Sequence, residues 1–284
     1  MLTAVILEEQ LGRADAAAAF ALPGPGAFGF AVTELGDETQ QRELIAPFAD
    51  ASGHDRYGAV AWSEAKPNPQ RAGFSTTARK TEAGWRILGT KSYVTNAAHA
   101  QQFVVFAQVD DSAGWNGIGA FVVAADAEGV TVGERHRTLG LDAASFGEVA
   151  FDVEVTGSQR LEAADDFTLA TLRFFGKQAL IVAARAAGLS YSAFELAREF
   201  CDTRKAFGKP IGHFQAVAFN LADRLMDVES SRWQLWRAAW HWDNDSSDDL
   251  TSLKATAHAV AHTLEGCMRC ADDCASLHGG MGFI

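Results

Sequence analysis

Apolar residues recur at helical spacing from Leu2 to Phe20, a stretch rich in Ala, Leu and Glu. Pro23-Gly24-Pro25-Gly26 then breaks the pattern. A second, short helix is expected from Asp37 to Phe48, with acids and Gln in its first turn and Leu44, Ile45 and Phe48 on one face. From about residue 56 the period changes. Phe103–Phe106 and Ile118–Val123 are short apolar runs of β-branched and aromatic residues, and Thr76–Lys80, Trp85–Leu88, Val130–Val132 and Glu148–Val155 add alternating segments. Turn residues at 82–84, 111–114, 116–117 and 128–129 separate them. Strands so spaced predict a sandwich or barrel. Three long helical stretches follow, Phe167–Thr203, Gln215–Trp242 and Leu250–Leu277, the last two separated by a polar loop from Asp243 to Asp249. Helices of this length predict a bundle. The fold class expected is α+β: an N-terminal helical segment over 1–55, a central antiparallel β domain over 56–160 and a C-terminal helical bundle over 161–284.

Composition narrows the function classes. The 284 residues carry 24 Lys and Arg against 36 Asp and Glu, a net charge of −12. That balance disfavours nucleic acid and anionic membrane, which need a basic face. No run of 18 apolar residues appears in the sequence, so no membrane span is expected. The N-terminus, with Glu8 and Glu9, lacks the basic and apolar regions of a secretory signal. Four cysteines are too few for a disulfide framework, which points to a reduced, cytoplasmic chain.

The candidate chemistry begins at Arg204-Lys205-Ala206-Phe207-Gly208-Lys209-Pro210-Ile211-Gly212-His213-Phe214-Gln215. By itself this is a helix hairpin: Pro210 stops one helix, the glycines permit a turn and Arg204 suits a helix C-terminus. The whole string, however, resembles a signature of the acyl-CoA dehydrogenase family. So does Glu8-Glu9-Gln10-Leu11-Gly12-Arg13-Ala14-Asp15-Ala16 near the start. Trp62-Ser63-Glu64 and Gly89-Thr90-Lys91-Ser92-Tyr93-Val94-Thr95-Asn96-Ala97 resemble two of its strands. Gly140 to Ser145 with Val149-Ala150-Phe151 resembles a further stretch, with Asp142 where the family has Arg. Leu277-His278-Gly279-Gly280-Met281-Gly282-Phe283 resembles its glycine turn. Six motifs in the right order identify the chain as resembling this family over nearly its whole length.

The resemblance implies FAD, bound between the β domain and the bundle and completed by a second subunit. Trp62, Ser63, Tyr93 and Thr95 would face it from the β side, Thr95 toward flavin N5 and Tyr93 over the isoalloxazine. Arg204 would meet the pyrophosphate of a neighbouring subunit's FAD, Phe207 and Gln215 the adenosine side, and Gly279 and Gly280 would let backbone approach the cofactor. Taken alone, Tyr93 and Thr95 are an ordinary pair of strand formers. The implied reaction takes an α-proton and a β-hydride from an acyl-CoA, with electrons passed to an electron-transfer flavoprotein.

Three departures qualify it. Ala65-Lys66-Pro67-Asn68-Pro69-Gln70 replaces a Gly-Ser loop that contacts the ligands, and its prolines remove two backbone donors. No catalytic base is found: one family position falls past Ile284, where the sequence reads as interrupted, and the other holds Gln178, followed by Ala179. Helical segments expected before Met1 and after Ile284 are absent from the sequence. Three functions therefore stand: an acyl-CoA dehydrogenase, a non-catalytic or half-site subunit of a hetero-oligomer, and a flavin monooxygenase or oxidase on the same fold. In each, homo- or hetero-oligomerisation through the bundle is implied.

Weaker constellations are read conservatively. Cys267, Cys270 and Cys274, with His258 and His262, are read as packing residues and not as a zinc set, because the tetrahedral pattern of two paired Cys-x-x-Cys units is lacking. Trp233, Trp236, Trp240 and Trp242 read as a buried or subunit-facing stripe, with a tunnel for a bulky acyl group as the alternative.

Overall fold

The computed structural model describes residues 1–50, 55–65, 72–163, 166–244 and 248–283. Contacts divide the chain into two units, Phe20–Phe174 and a second made of Met1–Ala19 with Phe175–Ile284.

In the first unit the alternating segments form β1 (Gly58–Ala61), β2 (Thr77–Lys80), β3 (Gly84–Thr95), β4 (Gln102–Gln108), β5 (Ile118–Ala124), β6 (Val130–Arg135), β7 (Phe146–Thr156) and β8 (Arg160–Leu161). They make one sheet in the order β6-β7-β3-β2-β4-β5-β8, with β1 alongside β4. Most pairings are antiparallel, as expected. The sheet is nevertheless mixed, because β1 and β2 both run parallel to β4. In β7 the residues Val149, Phe151, Val153 and Val155 point inward and alternate with exposed ones. They pack with Ile87, Phe103, Val105, Phe121 and Val123 in the core of this unit. β4 is buried on both faces, which explains its uninterrupted Phe103–Phe106 run.

Helix α1 (Leu2–Ala21) covers the first helical stretch, with a break at Asp15, whose backbone is extended. The Asp15 carboxylate accepts from the Ala17 and Ala18 amides and so restarts the helix. Helix α2 (Gly26–Leu35) was not expected. Pro25 and Gly26 open it where the sequence reads only as a break, and Phe28, Ala31, Val32 and Leu35 form its buried face. Helix α3 (Glu38–Ala49) starts from a capping box between Asp37 and Gln40. Gln40 Nε2 also donates to the carbonyls of Ser158 and Arg160.

The long helices take the expected ranges to within two residues: α4 (Phe167–Thr203), α5 (Gln215–Asn244) and α6 (Asp249–Leu277), so that Asp243, Asn244 and Asp249 of the expected loop are helical. By length and hydropathy α4 would suit a membrane span, which the sequence reading did not anticipate. Its Leu180, Ala183, Ala184 and Ala187 instead pack with Val5, Leu235, Ala238 and Ala259 inside the helical unit. The Glu8–Asp15 motif is explained by this packing. Glu8 pairs with Arg185 at 2.6 Å, Glu9 with Arg232 at 2.6 Å, and Arg13 with Glu195 at 2.7 Å. Trp236 Nε1 donates to Glu9 at 3.1 Å. Gly12 and Gly188 let the two backbones touch: a Cβ on Gly188 would lie 2.0 Å from the Glu9 carbonyl.

Candidate functional site

The first group of site residues lies at one end of the sheet unit. Between Lys91 and Val94 the β3–β7 register slips, which marks a bulge at Ser92 and Tyr93. Tyr93 there takes φ +59° and leaves 62% of its surface exposed. A non-glycine residue in that region costs of order 1 kcal/mol and is held by its surroundings. Ser92 fixes the bulge by donating from its amide to the Ser63 carbonyl at 2.8 Å and from its hydroxyl to Glu148 at 3.0 Å. Thr95 is half-buried opposite Phe146, and Ser63 is exposed. The structure thus brings Ser63, Tyr93 and Thr95 to one edge. The Trp62 indole is committed to an aromatic cluster, 4.7 Å from Phe74, 4.9 Å from Phe106 and 6.1 Å from Trp115.

Beneath this edge lies a pair that the sequence reading did not place among the site residues. Lys91 and Glu64, with side chains 0% and 7% exposed, meet at 3.1 Å. Lys91 Nζ also donates to the Trp62 carbonyl at 2.9 Å and sits 3.4 Å above the Phe74 ring. The Glu64 carboxylate accepts from the Ser75 and Thr76 amides at 2.8 and 2.9 Å. Burial drives the Lys91 ammonium down to about 8, against the Glu64 charge that raises it. Burial pushes Glu64 up, but the Thr76 and Ser75 amides and Lys91 outweigh it and hold the carboxyl below its ordinary value. Glu64 is fully engaged, and it ties the end of β1 to the strand that carries Tyr93 and Thr95.

The second group lies in the helical unit. Two short strands, β9 (Lys205–Ala206) and β10 (Lys209–Pro210), form a hairpin between α4 and α5. Phe207 sits at its tip with φ +51° and 96% exposure. Gln215 opens α5 and is exposed. Arg204, Gly279 and Gly280 line one open cavity of about 610 Å³ with Phe200, Ile211 and His278. The Arg204 guanidinium makes no hydrogen bond or ion pair among the described residues. A Cβ on Gly279 or Gly280 would enter open space. His278 is fixed by a 2.7 Å hydrogen bond between Nδ1 and the Cys274 carbonyl, and its ring lies 4.7 Å from that of Phe200.

On α4, Gln178 holds a buried Oε1 without a hydrogen-bond partner. Cys270 and Cys274 lie 3.8 Å apart within the helical unit, and burial pushes the Cys267 thiol up to about 11. Of the tryptophan stripe, Trp242 donates to Thr256, whereas Trp233 and Trp240 are exposed. The loop at Lys66–Gln70, with its two prolines, and Ile284 lie outside the described residues.

Two family models match the chain: the acyl-CoA dehydrogenase middle domain over residues 59–153 and the acyl-CoA dehydrogenase C-terminal domain over residues 167–284. The mitochondrial short-chain specific acyl-CoA dehydrogenase of Sus scrofa is 31% identical over 255 residues, 89% of this chain and 60% of its own. The short-chain specific enzyme of Megasphaera elsdenii is 29% identical, covering all of this chain and 73% of its own. The solved butyryl-CoA dehydrogenase of Megasphaera elsdenii superposes with a TM-score of 0.87 at 26% identity, over 99% of this chain and 72% of that one. A solved FAD-dependent dehydrogenase gives 0.81 at 28% identity, over 98% and 71%. The chain therefore spans about 60% of the length of the mitochondrial relatives it matches.

Proposed function

The chain belongs to the acyl-CoA dehydrogenase family of oxidoreductases, and on that premise we propose that it binds FAD and an acyl-CoA thioester. The reaction class is α,β-dehydrogenation, in which the Cα–H bond gives up a proton, the Cβ–H bond a hydride, and a C=C bond forms. When bound, FAD supplies the acceptor for that hydride; an electron-transfer flavoprotein then takes the electrons.

The observation that carries this reading is the cavity in the helical unit. It offers an unpaired guanidinium and two glycines whose missing side chains leave open space, the features a pyrophosphate needs. Arg204 would hold the pyrophosphate of a partner's cofactor, with Phe207 and Gln215 on its adenosine side and Gly279 and Gly280 admitting backbone contact. At the sheet edge Tyr93 would cover the flavin ring, and Thr95 and Ser63 would offer hydroxyls to it. Trp62 would act through its carbonyl, which anchors Lys91, since its ring is engaged elsewhere. Equilibrium titration of the chain with FAD tests this, with Arg204→Gln and Thr95→Val expected to weaken binding. No uptake of FAD would overturn it.

A second reading, a half-site subunit that lends Arg204 to a partner, is favoured by Gln178. An amide cannot take the α-proton, and Glu64 is already consumed by two amides and Lys91. Oligomerisation has its own support. Phe219, Met226, Trp233 and Trp240 recur every seven residues on α5, and each is about half or more exposed. A second copy of the chain is the occupant proposed for that face, because α6 presents an exposed stripe of mostly small apolar residues, Ala257, Ala261, Leu264, Met268, Ala271 and Ala275, whose alternating 4-3 spacing also repeats every seven residues. Comparing acyl-CoA-dependent dye reduction with and without a candidate partner subunit separates the two readings.

A further inference from the structure

The turn between β6 and β7 holds a second open cavity, of about 420 Å³, lined by Arg135, His136, Arg137, Thr138 and Asp142. It belongs wholly to the sheet unit and shares no residue with the sites assigned above. Two of its lining side chains carry buried polar atoms without partners, His136 Nε2 and Thr138 Oγ1. The Ser145 hydroxyl, at the far end of the same turn, is buried and unpartnered as well. Buried polar atoms in a native fold are nearly always satisfied. Two such atoms on the lining and a third close by leave this cavity with polar groups open to bonds from a ligand.

The charges say which kind. Arg137 is exposed and makes no ion pair or hydrogen bond among the described residues. Arg135 spends one Nη2 donor on the Asp142 carbonyl and keeps the rest of its fork. Two guanidiniums face one lining carboxylate, that of Asp142. A hydroxyl and an imidazole N–H complete a set dominated by donors. Such a set matches an oxyanion with several acceptor oxygens and repels a cation.

The geometry points to a phosphoryl-binding site in the β6–β7 turn, with Arg135, Arg137, His136 and Thr138 as its donors. The phosphoryl group is either free phosphate or carried on a larger molecule such as coenzyme A. The cavity is also coupled to the candidate flavin edge. The His136 ring lies 5.5 Å from that of Tyr93, and its amide donates to the Phe146 carbonyl at 2.7 Å, next to Asn96, which donates to Ser145. An oxyanion that fixes the His136 ring therefore fixes the residue behind Tyr93.

The test needs no flavin, so its outcome is independent of whether the chain binds FAD. The flavin-free full chain is titrated calorimetrically with inorganic phosphate, coenzyme A and dephospho-coenzyme A. The His136 ring resonance, assigned by loss in His136→Gln, is followed in parallel. Saturable binding that shifts this resonance is expected. Arg137→Gln should weaken it about tenfold or more, and Thr138→Val about fivefold, the effects of losing a charged and a neutral hydrogen bond. Lys254→Gln, on an exposed site of α6, should leave it unchanged. Tighter binding of coenzyme A than of phosphate assigns the group to a coenzyme; equal binding assigns it to free phosphate. No saturable binding of any of the three, or equal affinity in Arg137→Gln and Lys254→Gln, overturns the site.

Discussion

Replacing Glu64 by Gln removes one charge from a pair whose side chains are 0% and 7% exposed. In the wild type Lys91 titrates near 8, so at pH 7 it is charged in the folded chain. Without the Glu64 charge, burial of the ammonium is no longer offset by that charge, and its value falls further below 8. The variant then gives up the Lys91 proton more readily on folding. Its extra cost at pH 7 is capped at the single unit between 8 and 7, about 1.4 kcal/mol. The Gln carbonyl oxygen retains one of the two amides that the carboxylate accepts, and loss of the other costs about 1 kcal/mol. The total is about 2–3 kcal/mol at pH 7. The sign of the pH dependence is fixed by the direction of the shift. Lys91 is depressed from 10.5, so folding releases its proton, and the stability of the wild type gains from this group as pH rises from about 8 to 10.5. In the variant that gain starts at lower pH, so the two stability curves converge above 8. At about pH 9.5 the difference should shrink to the hydrogen-bond part, about 1 kcal/mol. Urea unfolding followed by tryptophan fluorescence reads the region directly, because Trp62 packs edge-on to Phe74, the ring under Lys91. A gap that stays constant or widens between pH 7 and 9.5 would refute this account of the pair.

Gln178→Glu places a carboxylate on α4 and should raise acyl-CoA-dependent dye reduction by about 10²–10⁴-fold; an unchanged rate removes position 178 from the chemistry. Arg204→Gln should weaken FAD binding about tenfold or more while leaving the melting temperature unchanged, since the guanidinium has no partner to lose. Trp233→Ser combined with Met226→Ser should shift the sedimentation coefficient toward a smaller species, and an unaltered assembly would clear the α5 face of that role. Acidification should cost stability as pH falls through the lowered Glu64 value, a loss that Glu64→Gln does not show.

The helices of the second unit were legible because their signals are local. Phe167–Thr203 has no internal proline and a continuous apolar period, and α4 takes that range. α2 was missed although Phe28, Ala31, Val32 and Leu35 follow a helical spacing, because Pro23-Gly24-Pro25-Gly26 read as a break. β1 has four small residues and exists through its parallel pairing with β4, more than forty positions away, which no local pattern announces. By alternation alone β3 is legible only from Trp85 to Leu88, and its continuation to Thr95 rests on the Gly89–Ala97 resemblance, because the bulge breaks the alternation just where Tyr93 turns outward. At the site, the motifs pointed to Arg204, Gly279 and Gly280, and these line one cavity. The Lys91–Glu64 pair was hidden for a different reason. Both residues stand inside the motifs, but lysine is almost never fully buried, and only the fold brings it to Glu64.

On the reading proposed above, this family member binds FAD but offers Gln178 where a proton must be taken. Anaerobic mixing of the FAD-loaded chain with butyryl-CoA, followed by flavin absorbance, tests both halves at once. Bound flavin, a spectral perturbation on adding the thioester, and bleaching about 10²–10⁴-fold slower than in Gln178→Glu are expected. A chain that takes up no FAD, or one whose flavin bleaches as fast as that of the variant, would contradict it.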